Sequence, residues 1–419
     1  MTDAPTHATP DAPGDGHRQA LAGLKVLDFC WVVIGPMLTR TLADHGATVI
    51  RVESKSRMET LRISQPFAGG VPGVNRSGYF ANYNANKLGL ALNMANPGAI
   101  DIVKRLAQWA NVVTENFTPG TMERWGIGHE TLLAANPALI TFSASMFGDG
   151  GPQARQPGYG PVLTSLAGFS HLTGYPWRPP STPYGAYTDF LLPHFGVAAI
   201  IGALDQRRRT GRGTHIELSQ LEASLHYLAP ALLDYQVNGR ILAREANADP
   251  GMAPHGVYPC AGDDRWCAIA CEDDAQWRAL CDLMGKPSLA DDPRFVRLTD
   301  RKRDEAALDA IVAAWTRDLD AGDVAARCLA AGIAAGVAHT TAGLFDDPQL
   351  KHRRHFAWVD HPEIGRHAVD TDAFALALTP ARHERPAPLL GQYTRRVCQD
   401  VLGLSEEEID ALLAQGVLE

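Results

Sequence analysis

Between Leu24 and Ser145 the chain alternates apolar runs of strand length with amphipathic segments of helix length, and that alternation leaves few folds open. The runs "LKVLDF", "ATVIRVE", "GLALNM", "NVVTENF" and "ALITFSAS" are short and bounded by turn residues, as strands are. "PMLTRTLADHG" puts Pro36 near a helix start and Gly46 past its end. "NPGAIDIVKRLAQWA" sets Ile100, Val103, Leu106 and Ala107 on one helical face. Strands separated by helices pair in parallel, so the fold class is α/β with a mostly parallel sheet. Ligands of such sheets bind beyond the carboxyl ends of the strands, where "TENF" and "SASMFG" lie.

The stretch 148–183 is rich in Gly and Pro, and its interleaved Tyr159, Tyr175 and Trp177 favour ordered loops around a pocket over a linker. "TGRGTHIELSQLEASLHYLAP" follows as a strand and a long helix. From about Gln236 the pattern changes to a hairpin and helices, which makes 236–332 a smaller α+β domain. "IAAGVAHT" and the C-terminal stretch resume α/β character, so 333–419 is expected to rejoin the large domain begun over 21–235. Residues 1–20 have neither a basic start nor an apolar core; they are expected to be a disordered tail and not a signal peptide.

A formal net charge of −9 disfavours nucleic acid as a partner, because neutralising phosphates needs an excess of Lys and Arg. The seven cysteines are scattered and never spaced as Cys-x-x-Cys, the pattern of reduced cytoplasmic thiols. Among fifteen histidines only "KHRRHF" brings two close, and its arginines repel a cation, so no metal site is expected. No uninterrupted apolar run approaches the roughly 20 residues of a membrane helix.

The common phosphate-cradling loops, GxGxxG after a first strand and GxxxxGK[ST], are missing, as is the GxSxG elbow. A nucleotide-dependent oxidoreductase, the default for such a fold, therefore lacks its signature. In "PYGAYTDFLLPHFG" Pro193 belongs in a first helical turn, so Asp189 reads locally as an N-cap. "RRRTGRG" reads as cations at a helix C-terminus stopped by Gly211.

Several stretches in order, "LAGLKVLDFCWVVIGPMLTRTLADHGATVIRVE", "YFANYNANKLGLALNM", "ANVVTENFTPGTMERWGI", "NPALITFSASMFGDGGP", "TGRGTHIELSQLEA" and "PLLGQYTRRVCQDVLGLS", resemble the family III CoA-transferases. That group includes formyl-CoA transferase, carnitine CoA-transferase and the α-methylacyl-CoA racemases. The resemblance runs from about Leu21 to the C-terminus and is weakest between Gln236 and Ala331. It implies a Rossmann-like large domain built from both chain ends, a small inserted domain and an interlocked dimer. Whether the partner subunit is identical is left open.

In the transferases the nucleophile is an aspartate in the segment matching "YTDFLLPHFG", which here is Asp189. The resemblance carries Leu92, Asn116, Phe117 and Arg124 over as CoA contacts, and Tyr79 and Tyr159 as acyl-pocket tyrosines. Val33 stands where formyl-CoA transferase has a glutamine, and Lys55 adjoins Ser54, which replaces a CoA-binding arginine. With Trp31 beside it, Val33 suggests a larger, more apolar acyl chain than formyl or oxalyl. His255 lies in the stretch replacing a glycine-rich loop and is a further candidate. A racemase needs a second acid or base facing the aspartate, and Tyr159 and Gly160 stand where the racemases carry histidine and aspartate. The expected function is thus CoA transfer between an acyl-CoA, for example succinyl-CoA, and a free carboxylic acid, in the cytoplasm. CoA and acyl-CoA enter as substrates, and no tightly bound cofactor is expected.

Overall fold

The computed structural model describes residues 18–419; the expected disordered tail falls, up to residue 17, outside the described residues. Strands β1 (Lys25–Asp28), β2 (Thr48–Glu53), β3 (Leu88–Ala91), β4 (Val112–Glu115), β5 (Ile140–Ser145) and β6 (His215–Ser219) form one sheet. Their order is β3-β2-β1-β4-β5-β6, and every neighbouring pair is parallel. The order reverses between β1 and β4, the switch point of a doubly wound sheet.

Both faces of the sheet are covered, which is why its strands are apolar at successive positions. On one face Leu27, Ile50, Leu90 and Val113 pack with Ile102, Val103 and Leu106 of the helix Gly98–Trp109. Val397, Cys398, Ile409 and Leu418, from the far end of the chain, complete that core. On the other face Val26, Val49, Val112, Ile140 and Phe142 meet the helices Ile34–Asp44 and Pro193–Thr210. Burying each such side chain is worth about 1.5–3 kcal/mol. The second helix lies close to the sheet because position 196 is glycine. A Cβ there would stand 2.2 Å from Leu38 and 2.9 Å from Phe142.

The chain divides into two compact units. The first takes residues up to Phe169, Thr182–Leu233 and Arg353–Glu419; the second takes Ser170–Ser181 and Asp234–His352. The second unit contains an antiparallel sheet of β7 (His255–Pro259), β8 (Trp266–Ala270) and β9 (Ala334–Val337) over a core around Trp277, Phe295, Leu308 and Val324. "IAAGVAHT", expected to return to the large domain, instead supplies β9, because its backbone pairs with β8. In the first unit an unforeseen hairpin joins β10 (Phe356–His361) to β11 (Gly365–Asp370). All seven cysteines are free and buried.

The helical stretch Tyr187–Thr210 is long enough and, at mean hydropathy 1.4, apolar enough to cross a membrane by length and composition alone. Counting uninterrupted apolar residues missed it because Asp189, Pro193 and His194 interrupt the run. Its Gly196, Ile200 and Ala203 are buried in the first unit, as those of a core helix would be.

Candidate active site

The site forms at the switch point, where the chain leaves β1 and β4. After β1 the backbone turns sharply through Val32, whose φ of 60° is left-handed and strained for a β-branched residue. The turn is held from several sides. The Asn116 side chain donates to the Trp31 carbonyl at 2.8 Å and accepts from the Trp31 N–H at 2.8 Å. The Val32 N–H donates to Glu59 at 2.8 Å, and Arg51 donates to the Cys30 carbonyl at 2.8 Å. Arg51 is itself paired with Glu59. Asn116 thus spans the end of β4 and the turn after β1, through both the oxygen and the nitrogen of its amide.

Two cavities flank this turn. The first, of about 280 Å3, is lined by Trp31, Arg57, Leu92, Phe117, Arg124 and Trp125, among others. It is strongly aromatic: Phe117 stands edge-on between Trp31, at 5.8 Å, and Trp125, at 5.4 Å. The Arg57 guanidinium lies 5.7 Å from the Trp31 ring, a cation–π contact. Arg124 donates to Thr121 at 2.9 Å, which leaves most of its donor fork free for an anion. Lys55 does not line this cavity, and its backbone N–H donates to the Glu419 carboxylate. Arg57, which sequence reasoning passed over, supplies the cation there instead; nothing in a short polar loop distinguishes it from its neighbours.

The second cavity, of about 350 Å3, is lined by Val33, Tyr79, Asn116, Phe117, Tyr159 and Asp189, among others. Val33 and Trp31, expected side by side at the acyl chain, are separated, because the strained turn sends Trp31 to the first cavity and Val33 to the second. Tyr79 packs edge-on against Tyr83 at 5.4 Å, and Tyr159 is 74% exposed at the rim. His255 opens β7 in the second unit, where its ring meets the Asn247 carbonyl.

Asp189 is 7% exposed. It lies inside the short helix Tyr187–Leu191, whose N-cap is Ala186, and it makes no capping bond. That overturns the cap reading: the helix starts earlier than Pro193 alone indicates, and the side chain turns inward. Its Oδ1 is fully enclosed and has no hydrogen-bond partner. Gly160 presses on the other oxygen, since a Cβ at 160 would fall 2.6 Å from Oδ2. With no compensating contact, burial alone pushes the Asp189 carboxyl up to about 7. Its place in the first turn of that helix does not offset the desolvation. A carboxylate in this state is desolvated and unbonded, and so reactive once ionised. The same burial, with Asp189 next in importance, raises Tyr79.

The sequence matches the profile described as CoA-transferase family III over residues 21–394. It is 32% identical over 400 residues to the succinyl-CoA–D-citramalate CoA-transferase of Chloroflexus aurantiacus, covering 95% of this chain and 98% of the relative. It is 30% identical over 403 residues to the succinate–glutarate CoA-transferase of Agrobacterium fabrum, covering 96% and 98%. A crystal structure of a CAIB/BAIF family protein from Brucella suis superposes with a TM-score of 0.84 at 30% identity, over 92% of this chain and 100% of that one.

Proposed function

Because this chain belongs to CoA-transferase family III, we propose that Asp189 carries CoA from an acyl-CoA donor to a free carboxylic acid as a covalent intermediate. The observation that carries the proposal is the enclosed Asp189 carboxylate, unpartnered at Oδ1 and facing a cavity beside Tyr79 and Tyr159. An ionised carboxylate stripped of hydrogen bonds keeps its lone pairs for attack, the activation that nucleophilic catalysis needs.

An Asp189 oxygen adds to the donor thioester carbonyl and the C–S bond breaks, giving a mixed anhydride and CoA thiolate. The thiolate then attacks the aspartyl carbonyl and expels the donor carboxylate, leaving an aspartyl-CoA thioester. The acceptor carboxylate attacks that thioester, forming a second anhydride and releasing thiolate again. Attack of the thiolate on the acceptor acyl carbon gives the new acyl-CoA and restores Asp189. No proton is gained or lost over the cycle.

The aromatic cavity suits the nucleotide end of CoA. Trp31, Phe117 and Trp125 offer stacking surface to a purine, and Arg57 and Arg124 offer charge to phosphates. The acyl group occupies the cavity of Val33, Tyr79 and Tyr159, whose aromatic and apolar walls suit a chain larger than formyl. Succinyl-CoA is the donor we favour, because two relatives are named for succinyl or succinate transfer. Removal and return of an α-proton needs a second acid or base, and Tyr159 and Gly160 hold the positions where the racemases carry histidine and aspartate. The helix Pro193–Thr210 leaves Ile201 41% exposed, an apolar position a second copy would cover in a dimer.

Incubation with succinyl-CoA and a panel of dicarboxylic, aryl and branched acids, followed by chromatography of the thioesters, tests the reading. The proposal predicts at least one new acyl-CoA formed mole for mole with free succinate. Solvent deuterium entering an α-methylacyl-CoA, with no thioester exchange in the panel, would contradict it.

A further inference from the structure

A third cavity, larger than the other two at about 460 Å3, lies on the same sheet. Its floor is formed by Glu115 of β4, Thr141 and Ser143 of β5 and His215 of β6. It meets the Asp189 cavity at Thr118, Pro119 and Ala154 and the aromatic cavity at Thr118 and Thr121, and none of the residues assigned above to CoA or the acyl group lines it.

Its polar groups are unusual for an idle surface. His129 and His215 stack with ring centroids 3.9 Å apart and planes 10° from parallel. Thr141 holds His215 Nδ1 at 2.9 Å, and the Asp149 carboxylate lies 3.5 Å from Nε2. That Nε2 is buried and has no hydrogen-bond partner. Glu123 stands 3.8 Å from His129, and Glu115 accepts the Phe117 N–H at 2.7 Å. Three carboxyls therefore converge on the cavity, and Arg155 is the one guanidinium in its lining. That balance repels an organic anion and would reward a cation. Met122, Ile127 and Leu132 supply apolar wall for a methylene chain.

We infer that this cavity binds a small aliphatic amine, its ammonium neutralised by Glu115 and Asp149 and its chain laid against Met122, Ile127 and Leu132. The inference does not rest on the role proposed for Asp189. Burial raises the Glu115 carboxyl to about 8, opposed by the Phe117 N–H and reinforced by Asp149 and Glu123. Asp149 itself is held low, first by the His215 imidazole beside it. An ammonium entering near neutral pH would therefore drive a proton off Glu115, so affinity should rise with pH.

Titration calorimetry of the full chain with putrescine, in phosphate and in Tris at neutral pH, tests this. The uncharged butanediol serves as control. Putrescine should bind with a heat that depends on the buffer, reporting proton release, and butanediol should not bind. Glu115→Gln should abolish the buffer dependence. Asp149→Asn should weaken putrescine roughly tenfold, the loss expected of one charged hydrogen bond. Asp149 is 39% exposed, so that variant should fold and keep its CoA-transfer rate. Equal binding of butanediol, unchanged affinity in Asp149→Asn, or no putrescine heat from folded wild-type protein would each overturn the site. A protein that binds putrescine but transfers no CoA would leave this inference standing and remove the Asp189 reading.

Discussion

Asp28 and Asp189 are equally hidden, at 0% and 7% exposure, yet their surroundings drive them in opposite directions. Asp28 accepts from the Cys30 N–H at 2.9 Å, Thr39 at 2.7 Å, Thr114 at 3.1 Å and the Lys87 ammonium at 3.1 Å. Burial pushes its carboxyl up, but Lys87, Arg51 and those hydrogen bonds outweigh burial and hold it below its ordinary range. Asp189 meets the same desolvation with no partner and rises to about 7. Burial is thus common to both; satisfaction separates a carboxylate that braces the switch-point turn from one free to react. Lys87 completes the contrast with two further bonds, to the Pro36 carbonyl at 3.0 Å and Asn84 at 2.9 Å.

The largest effect that would sharpen this comparison is on catalysis. Asp189→Asn should lower the transfer rate by roughly 10^4-fold or more, as loss of a covalent nucleophile does. Its urea midpoint should not fall, because the side chain has no partner to lose. Asp28→Asn should do the reverse, leaving Lys87 and Arg51 under-compensated at a cost of about 3–5 kcal/mol in urea unfolding. Adding Lys87→Met should restore part of that loss, and a double variant no better than the single would show the pair is not the brace.

The two carboxyls also predict opposite pH trends. Asp189, raised from 3.8 to about 7, contributes stability that is complete below its unfolded value and is lost as pH rises through about 7. Asp28, lowered, contributes stability above the ordinary carboxylate range that is lost as pH falls through its depressed value. Urea midpoints across pH should show the first slope vanish in Asp189→Asn while the acid limb stays. For the same reason kcat/KM of the wild type should decline as pH drops through about 7, where Asp189 protonates. The smallest effect lies at the aromatic cavity. Arg57→Ala should raise KM for the acyl-CoA roughly three- to tenfold with kcat little changed, the size of one exposed cation–π and phosphate contact.

The sheet was legible because its information is local. β1 to β5 sit where apolar runs meet turn residues, and both their faces are covered by helices whose periodicity is visible in the sequence. The boundary of the second unit was less so, since β9 is a short, small-residue strand whose partner β8 lies far away in sequence. Asp189 was legible as a position and misread as an environment. Its neighbours Val33, Tyr79 and Gly160 arrive from distant segments, and only their convergence shows that nothing satisfies the carboxylate. The left-handed Val32 and the buried Asp28–Lys87 pair had no local signal at all. A lone aspartate near a strand end and a lysine before another carry no mark of each other until the fold joins them.

The most direct measurement is peptide mass spectrometry after exposure to succinyl-CoA and a hydroxylamine quench. An aspartyl anhydride or thioester should be captured as a hydroxamate on the peptide containing Asp189, dependent on the donor and absent from Asp189→Asn. A protein that turns over succinyl-CoA while the Asp189 peptide stays unmodified, or while another carboxyl is captured instead, would contradict the account.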